Sequence, residues 1–557
     1  MSRSRPTGRS VAILACLVLA AGTRLFPLWW SPLPATLDGI AYAANARDTL
    51  ANGGIALAGF RADALVSTAW LSMGSAVTDL APLQLAQPLY ASIGAASVLL
   101  GAVFARRLGR SLGWDAGRIG RASVLAAFAL AVDGVFVRRT GVPDDDALTL
   151  LVIPLVALAA HAYVRTERRA WLAVLAALLV ALPFTHTFST LVAAVVLLGL
   201  LAGHLVGRPL TRGRVVLVGG VVGFCAYFGG YYTWARSTAL VVPYLDRIEG
   251  APGLFIAWLV VLVVGVPWLR GTTSAVRRAA AGLPLAVVFV AIAVNARIAV
   301  FPGTSMTPPV VLAAVAPFAV PAVLAAAAAH RFGRDGAAEP PLLALFAGPV
   351  VLIGYSFTAG LTPEYFATAL RAQTHLHLPA LVAAAAVASR RSPDSLAAGN
   401  VPLGGLSRLA RPALAAVLVV ALVATLPAAY VDLDTGKVPS TTTRSEFAGG
   451  TFAADHVRGR WTSSHTQTRV AGNYYDNVNA SVSPTAVWLR GGPSPACPVV
   501  SLRSWTTTGA HLFPGAPAAT SPERYERWLR DRAVVYEANG YDPLVVSMPA
   551  ERNASGC

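Results

Sequence analysis

Residues 165–214 read RTERR-AWLAVLAALLVALPF-THT-FSTLVAAVVLLGLLAGHLV-GRPLTRGR. Two apolar runs, 170–184 and 187–206, meet at a polar triplet, Thr185-His186-Thr187, and arginines close both far ends. Arginine is held on the cytoplasmic side of a bilayer. Two antiparallel membrane helices, with both arginine groups inside and the triplet outside, satisfy the pattern. Working outward, the same alternation continues. Apolar runs fall near 10–30, 83–105, 122–137, 147–164, 215–234, 253–269, 279–296, 309–329, 341–359, 377–389 and 412–430, which makes about thirteen transmembrane helices, with 170–184 and 377–389 short for a span. Of 557 residues 55% are hydrophobic and 13% charged, against roughly 25% charged in soluble domains. These features predict an all-α polytopic membrane protein.

Charge placement gives the orientation. With the N-terminus cytoplasmic, 23 arginines fall in inner loops and eight in outer loops, including Arg47, Arg61, Arg138, Arg139 and Arg371. The net charge of +17 does not indicate nucleic acid, because the arginines punctuate apolar runs instead of clustering on a soluble face. Four cysteines exclude a disulfide scaffold, and no Cys/His spacing suggests zinc. The first run follows Arg3, Arg5 and Arg9 but has no small-residue cleavage site, so it reads as a retained helix. Residues 1–430 thus form a transmembrane domain. Residues 431–557, rich in Ser, Thr, Asn and Tyr, form a small extracellular α+β domain, with strands expected over 469–490 and 497–503 and a helix over 521–533 behind Ser521. Cys497 and Cys557 are available there for a disulfide.

The acids concentrate in outer loops. Loop 31–82 carries Asp38, Asp48, Asp63 and Asp79; loop 138–146 carries Asp144, Asp145 and Asp146; Glu364 lies in a later one. Residues 40–51 read as a helix ending at Gly53-Gly54, with Asp38 at its start, either as a cap favoured by the helix dipole or as a reactive carboxylate at the membrane edge. Three successive aspartates need cations. Arg138 and Arg139 can neutralise them, or Asp38, Asp144 and Asp146 can share a divalent metal, Mg2+ or Mn2+, for which hard oxygen ligands are suited. Arg371 reads as an interfacial snorkelling residue or a phosphate ligand, and His375 beside it as an interfacial polar residue or a phosphate donor; His186 reads as a turn residue or a substrate contact. Arg24, within the first span, needs a partner, and Asp133 is available.

Asp38, Tyr42, Ala46 and Gly53-Gly54 in the first loop, with Arg139-Thr140 and Asp144/Asp146 in the second, resemble the GT-C superfamily of polytopic glycosyltransferases, which use sugars carried on polyprenyl or dolichyl phosphate. The layout, about thirteen spans and then an outer domain, is similar to oligosaccharyltransferase catalytic subunits, but their Trp-Trp-Asp motif is absent from 431–557. The resemblance to archaeal dolichyl-phosphate-mannose-dependent enzymes implies transfer of one sugar, mannose, to a glycan or glycoprotein acceptor at the outer membrane face. Such a transfer would be an inverting single displacement with Asp38 as base; the chemistry it needs points to Asp144, Asp145 and Asp146 as acceptor or metal contacts and to the outer-face Arg371 and His375 at the lipid phosphate, with Tyr42, His186 and Glu364 as further candidates. Partners would be the lipid-linked sugar, the acceptor and membrane lipids, with no nucleic acid. Alternatives are en bloc glycan transfer and a transporter or flippase of lipid-linked solutes. Transporters place ionisable groups at midspan, whereas here the acids lie in outer loops.

Overall fold

The computed structural model describes residues 8–57, 60–205, 209–238, 240–304, 306–329, 340–389, 406–431, 442–512, 517–539 and 543–549. Among these, ten helices are long and apolar enough to cross a membrane, from Gly8–Trp30 to Ala413–Tyr430, and the bent pair Ala116–Val132 and Gly134–Thr140 makes an eleventh. The sequence leads to an expectation of about thirteen, two of them short. The two runs noted as short account for the difference. Arg169–Phe184 is an apolar helix below spanning length, its last turn tightened at Pro183. His377–Ala388 has 12 residues, about 18 Å at 1.5 Å each, against roughly 30 Å of hydrocarbon. All twelve are buried, so this segment is surrounded by protein and has no lipid-facing length to match.

Three packing devices set the end of the bundle where the acids lie. The helix Leu37–Asn52 starts at Thr36, whose side chain accepts from the Gly39 amide, and stops at Gly53 with φ 67°. Asp38 therefore stands in the first turn and is not the cap. Gly39 lets this helix touch the second loop: a Cβ there would lie 2.7 Å from Pro34 Cβ and 2.8 Å from Pro143 Cβ. The third device is the 67° bend at Asp133. Asp133 caps the second segment through the Phe136 amide and takes His377 Nδ1 at 2.6 Å. The bend turns Arg138, Arg139 and Thr140 back over the bundle. Arg24 is fully buried and binds not Asp133 but Thr140 Oγ1 at 2.9 Å and the Ala20 and Leu130 carbonyls at 3.1 Å, which satisfies a charge that hydrocarbon would penalise.

The C-terminal part is α+β, with a five-stranded sheet of order β2-β1-β3-β5-β4. The strands are β1 (Trp461–Thr462), β2 (Ala480–Ser481), β3 (Val499–Leu502), β4 (Arg532–Ala538) and β5 (Leu544–Pro549). β1 pairs in parallel with β2 and β3, and β5 pairs antiparallel with β3 and β4. Trp461, Trp488 and Trp505 fill its core. The stretch 469–490, expected as strand, is mostly helical (His465–Tyr475 and Ser483–Leu489); β3 falls within the expected 497–503, and Pro522–Arg530 is the expected helix, capped by Ser521. Cys497 is disulfide-bonded, while Cys557 lies outside the described residues.

Candidate active site

Asp144 caps the span Asp145–Thr166, so the three aspartates leave the helix start in three directions. Asp145 points into the first loop, accepts from Tyr42 and Ser67 hydroxyls and faces Arg61 Nη2 at 3.6 Å. It is fully buried and ties three helices together through Tyr42 and Ser67. Tyr42 is absorbed in the same tie, and burial followed by the Asp145 charge raises its hydroxyl well above the usual range. Arg61 Nε also holds Asp63 at 3.1 Å, and Asp63 takes the Thr187 amide and hydroxyl at 3.0 and 2.9 Å. Burial alone would raise Asp63; the Arg61 charge and the Thr187 hydrogen bond outweigh it and hold the carboxyl below its ordinary value.

Asp146 is the hub of the cationic side. Arg371 Nη1 lies 3.3 Å from its Oδ1, His186 Nδ1 3.5 Å from the same atom, and Arg139 Nη1 3.6 Å from its Oδ2. Arg371 Nη1 also lies 3.0 Å from His186 Nε2. A guanidinium only donates, so Nε2 accepts and the His186 proton sits on Nδ1, which reaches Ser189 Oγ at 2.8 Å; Ser189 in turn donates to Thr149 at 2.8 Å. Burial keeps this imidazole below the usual histidine range, and so neutral. Burial likewise lowers buried His375 to about 4. Tyr244 completes the wall. Its backbone has φ 70°, an outlier for a bulky residue of the sort that concentrates at functional sites. Its ring stands edge-on to His186, with Arg247 at 4.1 Å and Arg371 at 5.3 Å from its centroid.

Asp38 differs from its neighbours. It is half-buried and forms no salt bridge among the described residues, yet it feels Asp144, Arg61, Arg371 and Arg469. Burial first, then the Asp144 charge, raise its carboxyl above the usual range against the three arginines. The structure thus brings Asp38, Tyr42, Asp144, Asp145, Asp146, His186, Arg371 and His375 to one end of the bundle. Glu364 stands apart, exposed on its helix, its carboxyl lowered chiefly by the Thr362 hydroxyl. Arg371, read from the sequence as a snorkelling residue or a phosphate ligand, is bonded to one of the acids, Asp146.

The proposed metal set does not assemble. A cation on Asp146 would have to displace two guanidinium groups, and among the described residues no group of three or more His, Cys, Asp or Glu is arranged to hold a metal ion. No chemical step is assigned to one.

Beside this cluster runs an apolar groove of about 1020 Å³, walled by Leu285, Phe289, Val311 and Phe318 and headed by Arg138 and Arg139. On the other side the C-terminal domain leans over the helix Leu37–Asn52. Arg47 donates to the Tyr474 carbonyl at 2.8 Å and stacks 4.4 Å from its ring, and Ser31 donates to the Thr442 carbonyl at 2.7 Å. This contact brings exposed Arg469 within electrostatic reach of Asp38.

Among known proteins, the crystal structure of ArnT from Cupriavidus metallidurans bound to undecaprenyl phosphate aligns over 97% of this chain and 98% of that one, at 13% identity and a TM-score of 0.33. No family model and no curated protein matches. At that identity and superposition, the chemistry has to be read from this chain's own residues. Sequence reasoning missed Arg61, Asp63, Tyr244, Arg247 and Arg469 as members of the site. The Arg61-Ala62-Asp63 doublet in an outer loop was a usable signal; nothing in the sequence marked Tyr244 or Arg469.

Proposed function

We propose that the chain is a GT-C-type membrane glycosyltransferase that moves a sugar from a polyprenyl-phosphate carrier to a hydroxyl acceptor. One observation carries this reading: Asp38, a carboxylate with no salt bridge among the described residues, stands within electrostatic reach of Arg61, Arg371 and Arg469, near an apolar groove with Arg138 and Arg139 at its head. The groove fits the lipid chain. Arg139 and Arg371, joined through Asp146, sit where a phosphate leaving with growing negative charge needs donors in a fork geometry, and His375 lies beside them. Asp38 takes the acceptor hydroxyl proton as the acceptor oxygen bonds to the anomeric carbon and the carbon–phosphate oxygen bond breaks. The carboxylate then holds the proton and the carrier departs as a lipid phosphate. Attack from the face opposite the phosphate inverts the anomeric carbon. The finer assignment, mannose on dolichyl phosphate passed to a glycan or glycoprotein outside the cell, rests on the motif resemblance.

The test compares envelope glycans of cells with the protein, without it, and with Asp38→Asn. A sugar missing in both altered strains, with Asp38→Asn protein present in normal amount, supports the reading, as does a purified-enzyme loss of about 10²–10⁴, the range a general base contributes. Unchanged glycans in the strain lacking the protein would overturn it.

A further inference from the structure

A second pocket opens among Ala281, Ala325, Leu342, Phe346 and Ala383; it meets the groove beside the aspartates at Ala380, which lines both, and runs away from it toward Arg277. Its walls are apolar except for Arg277, which lines it. Arg277 lies in the first turn of the helix Ser274–Asn295, about 27 Å from its far terminus at 1.5 Å per residue. Its Nε and Nη1 are shielded from solvent and have no hydrogen-bond partner among the described residues. A buried guanidinium atom without an acceptor is costly, and among the described residues no acid lines the pocket to supply one.

We infer that this pocket holds an anionic phospholipid, its phosphate accepting from Arg277 and an acyl chain lying along the alanine and leucine walls. The occupant must bring an acceptor for two adjacent N–H groups together with apolar bulk. A free phosphate would leave the apolar walls uncovered, and a bare hydrocarbon chain would leave Arg277 unsatisfied. The sequence places Arg277 with most of the loop arginines, on the cytoplasmic side where anionic headgroups and basic residues attract each other. The inference does not depend on the transferase reading.

The full chain is reconstituted in nanodiscs of phosphatidylcholine alone or with phosphatidylglycerol, and its thermal midpoint is measured in each. Phosphatidylglycerol is expected to raise the midpoint of the wild type. Arg277→Met should abolish the rise, and Arg278→Met, at the exposed neighbour, should keep it. Native mass spectrometry should show phosphatidylglycerol retention reduced about tenfold in Arg277→Met, equivalent to about 1.4 kcal/mol. Because the readout is a difference between two lipids in one variant, a variant that is merely less stable lowers both midpoints and leaves the difference. A rise retained in Arg277→Met, or lost equally in Arg278→Met, would overturn the site. A rise reproduced by inorganic phosphate in phosphatidylcholine discs would overturn the lipid as its ligand.

Discussion

Asp38 keeps its proton to a higher pH than a free aspartate, because burial and the Asp144 charge both disfavour the anion. A base must be ionised to act, so the acidic limb of the rate profile should lie above about 3.9, the unperturbed aspartate value. Asp144→Asn removes the repelling charge, lowers the Asp38 value and should move that limb to lower pH; a move upward would dissociate the two residues. The histidines give an opposite test on stability. His375 falls to about 4 in the folded protein, against about 6.5 unfolded. Between these values the unfolded chain binds more protons, so stability is fully present above pH 6.5 and is lost as pH falls toward 4. The loss attributable to His375 should reach roughly 2 kcal/mol by pH 5. Thermal midpoints at pH 7.5 and 5 should therefore converge in His375→Asn; an unchanged pH dependence would show that His375 contributes none of it.

At the scale of elements, the site depends on how closely the helix Leu37–Asn52 approaches the second loop. Gly39→Ala would drive a methyl into two proline ring carbons, Pro34 Cβ and Pro143 Cβ, and rings cannot swing aside. An overpacked contact costs about 1–3 kcal/mol, and here the displacement separates Asp38 from Asp144. Transfer activity should fall much further than the thermal midpoint, whereas Gly54→Ala, with nothing within 4 Å, should leave both unchanged. Equal behaviour of the two variants would show that the close approach does not matter. The same elements explain what was legible in the sequence. The helix Leu37–Asn52, the apolar runs and the two acid loops could be read because each follows from local composition and period. The role of each acid could not, because Asp144, Asp145 and Asp146 are consecutive and a helix start sends them to three different partners. The 469–490 stretch was misread for a related reason. Its Tyr, Val and Thr content favours strand, but Thr466, Val470 and Ala471 fall on one buried helical face of His465–Tyr475, so tertiary burial overrode propensity.

For the whole molecule, the acid cluster, the apolar groove with its arginine head and the sheet domain share one end, while most loop arginines belong to the other. If positive charge is retained in the cytoplasm, the end bearing Asp38 and Arg469 faces outward, the side on which the proposed transferase would meet its acceptor. That arrangement makes the two ends chemically distinguishable in intact cells. Val478 is 90% exposed in the C-terminal domain, and Ser274 is exposed at the start of the helix bearing Arg277. In a background with Cys16→Ala and Cys225→Ala, Val478→Cys should react with a membrane-impermeant maleimide on whole cells, and Ser274→Cys only after permeabilisation. The reverse pattern would put Asp38 and its arginines in the cytoplasm. A carrier sugar would then have to be presented to the inner leaflet, and the outer-face reading of the acceptor would be lost while the chemistry assigned to Asp38 remained open to its own test.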